Sequence, residues 1–171
     1  TMGFTPLEGL VMATRSGSVD PGMLLWLMEH ERLSERELAE ALEHRSGLLG
    51  LAGSADMREI VERCRAGDAP ARLALDAYAH RLRGSIAAMA ASLGGLDVLA
   101  FTGGVGEHSA TVRARAAERL GFAGVRIDAE RNERLDGEGE IGQAGADVRV
   151  LVVSAREDLE MARQVRLVLG G

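Results

Sequence analysis

Apolar positions along this chain follow two kinds of pattern, and the contrast divides it into elements. One kind is a short unbroken run. Val98-Leu99-Ala100-Phe101 is such a run, of strand length, and Asp147 to Val153 (DVRVLVV) is another. A shorter extended piece is expected at Gly124-Val125-Arg126-Ile127. The other kind recurs at helical spacing. Leu73, Ala77, Leu82, Ile86, Met89 and Leu93 mark one stripe through residues 71–93, ended by Gly94-Gly95. Leu38, Ala41 and Leu42 mark a helix behind Ser34-Glu35-Arg36-Glu37, where serine followed three residues on by glutamate makes a capping box. Ile60 and Val61 mark a third, capped by Ser54 or Asp56, and a last helix follows Ser154 and ends near Leu169. Met23-Leu24-Leu25-Trp26-Leu27-Met28 is apolar on every side and predicts a deeply buried helix. Asp20 caps it, Pro21 fits its first position, and it ends near His30.

The two patterns meet in residues 97–121. After the strand at 98–101 the chain turns on Gly103, Gly104 and Gly106. A helix is then expected from about Ser109 to Leu120, closed by Gly121. Glycines let a backbone approach a ligand with no Cβ in the way, and the first amides of a helix face such a turn unpaired. An ordinary tight strand-to-helix connection has the same pattern. Gly104-Val105-Gly106-Glu107-His108-Ser109 lacks the third glycine of the dinucleotide fingerprint, and the chain has no G-x-x-x-x-G-K-[ST] phosphate loop. Residues 1–21 read as loop-like, residues 46–56 as a second glycine-rich segment, and residues 128–145 as a charged, glycine-rich surface excursion. Strand, helix, strand, helix at the C-terminal end predicts parallel strands with crossover helices, hence an α/β class, with a helical insertion over about 21–93.

Composition narrows the function. The 171 residues are 46% hydrophobic and 27% charged, sufficient for one domain with a core. Aromatics make up only 3%, so that core is aliphatic and base stacking on a nucleic acid is disfavoured. The net charge of −6 argues against a phosphate-backbone binder, so no nucleic-acid partner is expected. No run approaches the roughly 20 apolar residues of a membrane span, so no membrane partner is expected either. The single cysteine, Cys64, allows no internal disulfide and no cysteine metal site. With no leader pattern in TMGFTPLEGL, a reducing, cytoplasmic setting is expected. His30, His44 and His80 fall on helical segments without an evident partner.

Three segments together resemble the acetate kinases. The first is Met2-Gly3-Phe4-Thr5-Pro6-Leu7-Glu8-Gly9 with Thr14-Arg15-Ser16-Gly17 and Asp20-Pro21-Gly22. The second is Ser46-Gly47-Leu48-Leu49-Gly50 running to Asp56-Met57-Arg58-Glu59-Ile60. The third is Phe101-Thr102-Gly103-Gly104-Val105-Gly106-Glu107-His108-Ser109, similar to that family's adenosine-binding turn. The resemblance implies a ribonuclease-H-like domain of the actin-like ATPase class. It implies phosphoryl transfer between ATP/ADP and acetate/acetyl phosphate with Mg²⁺, and a homodimer formed through the C-terminal half. It covers residues 1–171 as the C-terminal, nucleotide-binding part only. The family's phosphate loop, acetate pocket and catalytic histidine have no counterpart here, so the chain is expected to be inactive alone.

Residue roles follow from the resemblance one by one. Arg15 matches the arginine that meets the phosphoryl group in flight, where a guanidinium fork suits charge spread over equatorial oxygens; by itself it reads as a solvated loop arginine. Asp56, Met57 and Arg58 match the triplet lining the adenosine pocket, with methionine where phenylalanine is usual. Their other reading is a helix cap and an exposed base. Gly103, Gly104, Val105, Gly106, Glu107 and His108 match the nucleoside turn, with histidine in place of the usual asparagine. Glu157 matches the magnesium-associated glutamate, with Asp158 competing; an acidic helix start accounts for both as well. Open alternatives are a propionate or butyrate kinase half, a non-catalytic nucleotide-binding dimerisation module, and a dinucleotide-dependent dehydrogenase domain.

Overall fold

The computed structural model describes residues 3–170. Thr1, Met2, which opens the first signature segment, and Gly171 lie outside the described residues. The chain begins as an irregular loop that leads to α1 (Pro21–His30), where Asp20 accepts a hydrogen bond from the Gly22 amide and Pro21 takes the first position. Next comes α2 (Glu35–His44). Its capping box is complete: the Glu37 amide donates to Ser34 Oγ at 3.3 Å, and the Ser34 amide donates to the Glu37 carboxylate at 2.8 Å. The Ser34 hydroxyl, which donates to the same carboxylate at 2.6 Å, and then the Ser34 amide hold the Glu37 carboxyl below the usual range. The glycine-rich residues 46–56 contain the short helix α3 (Gly47–Ala52), stopped by left-handed Gly53.

Then come α4 (Met57–Arg65), capped by Asp56, and the long α5 (Ala69–Leu93), capped by Asp68 and ended by left-handed Gly94. α5 is the spine: it packs against α3 and α4 on one stretch and against α7 (Ala110–Ala117) on another. Its first half carries Ala71, Ala74 and Leu75 into a core shared with Val11, Leu48, Met57, Ile60, Val61 and Val112. Farther along, Leu82 and Ile86 pack on a second core of Phe101, Ala116, Ala117, Leu120, Val125, Ile141, Val148, Val150 and Val152. Small alanines let α4 approach α5 closely, and truncating a fully buried residue such as Ile60 to alanine costs about 2–5 kcal/mol.

The second core lies beneath a three-stranded sheet of β1 (Val98–Phe101), β2 (Gly139–Glu140) and β3 (Arg149–Val152), in the order β1-β3-β2. β1 and β3 are parallel, with Val98 beside Arg149 and Phe101 beside Val152. β2 is antiparallel to β3, so the sheet is mixed rather than purely parallel. Residues 124–127 make only isolated bridges, Val125 to Val148 and Ile127 to Gly142. Between β1 and β3 lie α6 (Gly103–His108), α7 (Ala110–Ala117), a single 3₁₀ turn at Gly121–Ala123, and α8 (Ala129–Arg134); α9 (Glu157–Leu169) closes the chain.

Two expectations need correction here. The charged stretch at 128–145 is not merely a surface excursion, since Asn132 is buried and Ile141 is part of the second core. The apolar α1 is not deeply buried: none of its residues is, and Leu25 and Trp26 are 68% and 50% exposed. All-round hydrophobicity specifies that a helix must be covered, without specifying that the cover comes from its own chain. α9 is similar, with no buried residue and Leu159, Met161 and Val165 exposed.

Candidate functional site

The glycine segment after β1 does not wait until Ser109 to become helical. Gly103, with φ +72°, turns the chain, and residues 103–108 are themselves a helical turn and a half. Ser109 then breaks the helix and caps the next, accepting from the Val112 amide at 3.3 Å. The expectation of unpaired amides at the turn is also revised. Glu107 folds back so that its Oε1 accepts from the Gly103 amide at 2.7 Å, and the same atom accepts from the Ala155 amide at 2.9 Å. Glu107 thereby fastens α6 to the loop between β3 and α9. Gly104 has neither a left-handed φ nor any protein atom within 4 Å of where a Cβ would stand. Its side is open cleft.

That cleft has a volume of about 1130 Å³ and lies between α3, α4 and α5 on one side and α6, α7 and α8 on the other. Asp56, Met57 and Arg58 line it at the start of α4, and Gly104, Val105 and His108 line it from α6. Leu48, Met57, Val61, Tyr78 and Val105 supply a mostly apolar floor, and charged groups stand around it. Of the nine residues nominated for nucleoside contact, these six share the cleft; Gly103, Gly106 and Glu107 lie on α6 outside its lining.

Asp56 is half taken up by its own helix. Oδ1 accepts from the Arg58 amide at 2.8 Å and from Arg58 Nε at 3.2 Å, and Oδ2 accepts from Nη2 at 2.8 Å. The Arg58 side chain, then the Arg58 amide, hold the Asp56 carboxyl below the usual aspartate range. Arg58 therefore lies along the rim, paired but exposed. Farther up α4, Arg65 Nη2 donates to Thr111 Oγ1 at 3.0 Å and approaches Glu133 at 3.7 Å, bridging the walls. Tyr78 is half-buried, and burial raises its phenol above the ordinary value.

Arg15 does not line the cleft, but Met12 and Ala13 of its loop do. The loop is docked by backbone bonds to the start of α3: the Ser46 amide donates to Thr14 O, and the Leu48 amide to Met12 O, each at 2.9 Å. Gly47 makes this docking possible. Its φ is +63°, and a Cβ there would sit 2.2 Å from Met12 O. The Arg15 guanidinium has no hydrogen-bond or ion-pair partner among the described residues and is half-buried. Glu157 is exposed at the first position of α9, two residues beyond the Ala155 amide held by Glu107. Among the described residues no group of three or more His, Cys, Asp or Glu side chains is placed to hold a metal ion. Glu157 can offer a single carboxylate to an ion carried in by phosphates, the arrangement Mg²⁺ tolerates.

The residue-by-residue reading missed Arg113. It is 2% exposed, and its guanidinium donates to Asn132 Oδ1 at 2.7 Å, Asn132 O at 3.0 Å, Gly106 O at 2.9 Å and Glu107 O at 2.7 Å. Asn132 Nδ2 in turn donates to Ala110 O. Arg113 thus terminates α6 and ties it to α8, holding the cleft wall from behind. Burial lowers its pKa, partly offset by Glu133.

An α/β domain with a mixed sheet, a helical wall and a cleft reached by a strand–glycine–helix corner is the architecture of the actin-like ATPase class. Its crystal-structure neighbours agree. The Porphyromonas gingivalis acetate kinase superposes with a TM-score of 0.90 at 41% identity, over 98% of this chain and 42% of that one. A propionate kinase from Francisella tularensis gives 0.88 at 36% identity, over 94% and 41%. In sequence, the acetate kinase of Nostoc punctiforme is 49% identical over 95% of the chain. The profile of the acetokinase family matches residues 1–163, and the chain belongs to that family. It spans about 40% of the length of the curated relatives it matches.

Proposed function

We propose that this chain is the ADP/ATP-binding part of an acetate kinase. In the reaction an acetate oxygen attacks the γ-phosphorus, the bond from phosphorus to the bridging oxygen of ATP breaks, and ADP leaves with its electron pair; the products are acetyl phosphate and ADP. The observation that carries this reading is the convergence of Asp56, Met57 and Arg58 with Gly104, Val105 and His108 on one cleft, although they are distant in sequence. The apolar floor suits a base and the carboxylate of Asp56 suits hydroxyl or amine donors. Arg58 can turn from Asp56 to lie on the base. Arg15, with its guanidinium unengaged on a docked loop, is the group for the transferring phosphoryl. Glu157 is the carboxylate for Mg²⁺, which when bound neutralises phosphate charge. Phosphoryl transfer depends on positioning and charge stabilisation, so an arginine at that point carries much of the rate.

In the enzyme of full family length that carries these residues, Arg15→Ala should lower kcat by about 10²–10⁴-fold with little change in the KM for ATP. Retention of near wild-type kcat would remove Arg15 from the mechanism. The 171-residue chain by itself should bind nucleotide without turnover, because one wall of a cleft cannot orient two substrates. Propionate is the competing acceptor, favoured by the likeness to a propionate kinase, and side-by-side assays with both acids decide between them.

The reading includes a two-fold homodimer. The exposed Leu25 and Trp26 of α1 and the outward alanine-rich stretch of α5 offer helix faces that a symmetric interface would bury. Sedimentation should then show one discrete dimer, stable to dilution and salt; a monomer, or a smear of sizes, would contradict it.

A further inference from the structure

Resting on the nucleotide reading, we infer that Tyr78 is the nucleobase contact of the cleft, its hydroxyl donating a hydrogen bond to a ring nitrogen of a purine held on the apolar floor. A purine in a protein needs apolar surface against its faces and a polar group in its plane. The floor around Leu48, Met57, Val61 and Val105 supplies the first. Of the side chains that make that floor, Tyr78 alone carries an oxygen. On the rim, Asp56 is engaged with Arg58, and Arg65 with Thr111 and Glu133. The Tyr78 hydroxyl, by contrast, has no hydrogen-bond partner among the described residues. Nor is it a sealed orphan, since no fully buried side-chain oxygen or nitrogen among them lacks a partner. Its ring packs against the first core, which fixes the aim of the hydroxyl at low entropic cost. A neutral phenol beside a base acts as a donor, and purine ring nitrogens are acceptors.

The chain holds one tyrosine, so a tyrosine-ring isotope label gives a single, unambiguous set of NMR signals. Adenosine and ADP should both shift those signals through the ring current of the base, whereas tripolyphosphate should leave them in place. Tyr78→Phe should keep the fold, because the hydroxyl bonds to no protein group, and should weaken ADP binding about three- to tenfold, the worth of one hydrogen bond. ADP binding by calorimetry with unmoved tyrosine signals, an equal shift with tripolyphosphate, or unchanged affinity in the phenylalanine variant would each overturn the inference while leaving the nucleotide reading intact. Absence of ADP binding would overturn both.

Discussion

Arg113 shows how much of this cleft depends on a side chain that never reaches it. A guanidinium removed from water with no carboxylate bonded to it is tolerated because its donors meet the carbonyls of Gly106, Glu107 and Asn132 and the Asn132 amide oxygen. Arg113→Met would keep the aliphatic stem and leave those acceptors buried and unpaired. It should lower the unfolding free energy in urea by about 3 kcal/mol, since each orphaned buried group costs roughly 1–3 kcal/mol. A loss below about 1 kcal/mol would mean that water replaces the guanidinium and the brace is dispensable. The sequence does hold a trace of this role: Arg113 stands on the same helical side as Val112, Ala116 and Ala117, where a solvated arginine has no place. What it lacks is any local sign of Asn132, because the partner arrives through tertiary packing. The cap at Asp56, by contrast, is a local matter, and in the structure Asp56 accepts from the Arg58 amide at the start of α4.

Among elements, caps and breaks were the most legible features. The capping box of Ser34 and Glu37, the Asp20-Pro21 start of α1 and the Gly94 stop of α5 are local side-chain or backbone matters, and the structure has all three. The glycine segments were less so. In 46–56 and 103–108 short helices stand where the sequence offered no helical pattern, because tertiary bonds to Met12, Ala13 and Ala155 hold glycine-rich turns that propensity alone disfavours. Gly47 is the sharpest case. Gly47→Ala would impose a left-handed φ on alanine and drive its methyl into Met12 O, separating α3 from the loop that carries Arg15. The cost should exceed about 2 kcal/mol in denaturant unfolding, from backbone strain plus the displaced contact. A variant as stable as the parent would show that the loop has a second seat on the fold.

At the scale of the molecule, two aliphatic cores share α5 and leave a cleft between their helices, while α1 and α9 keep apolar faces uncovered. Hydrophobic pattern predicted the helices, but not which faces the chain itself would cover; α1 reads identically whether its partner is internal or another surface. The cleft is the central feature, and the claim about it is that adenine nucleotide binds there between the starts of α4 and α6. Titration calorimetry of ADP with Mg²⁺ into the chain, repeated with Asp56→Ala and Arg58→Ala, tests this most directly. One nucleotide per chain is predicted, weakened about tenfold or more in each variant, as befits loss of a charged hydrogen-bonding or stacking group. No binding to the parent chain, or binding indifferent to both substitutions, would contradict it.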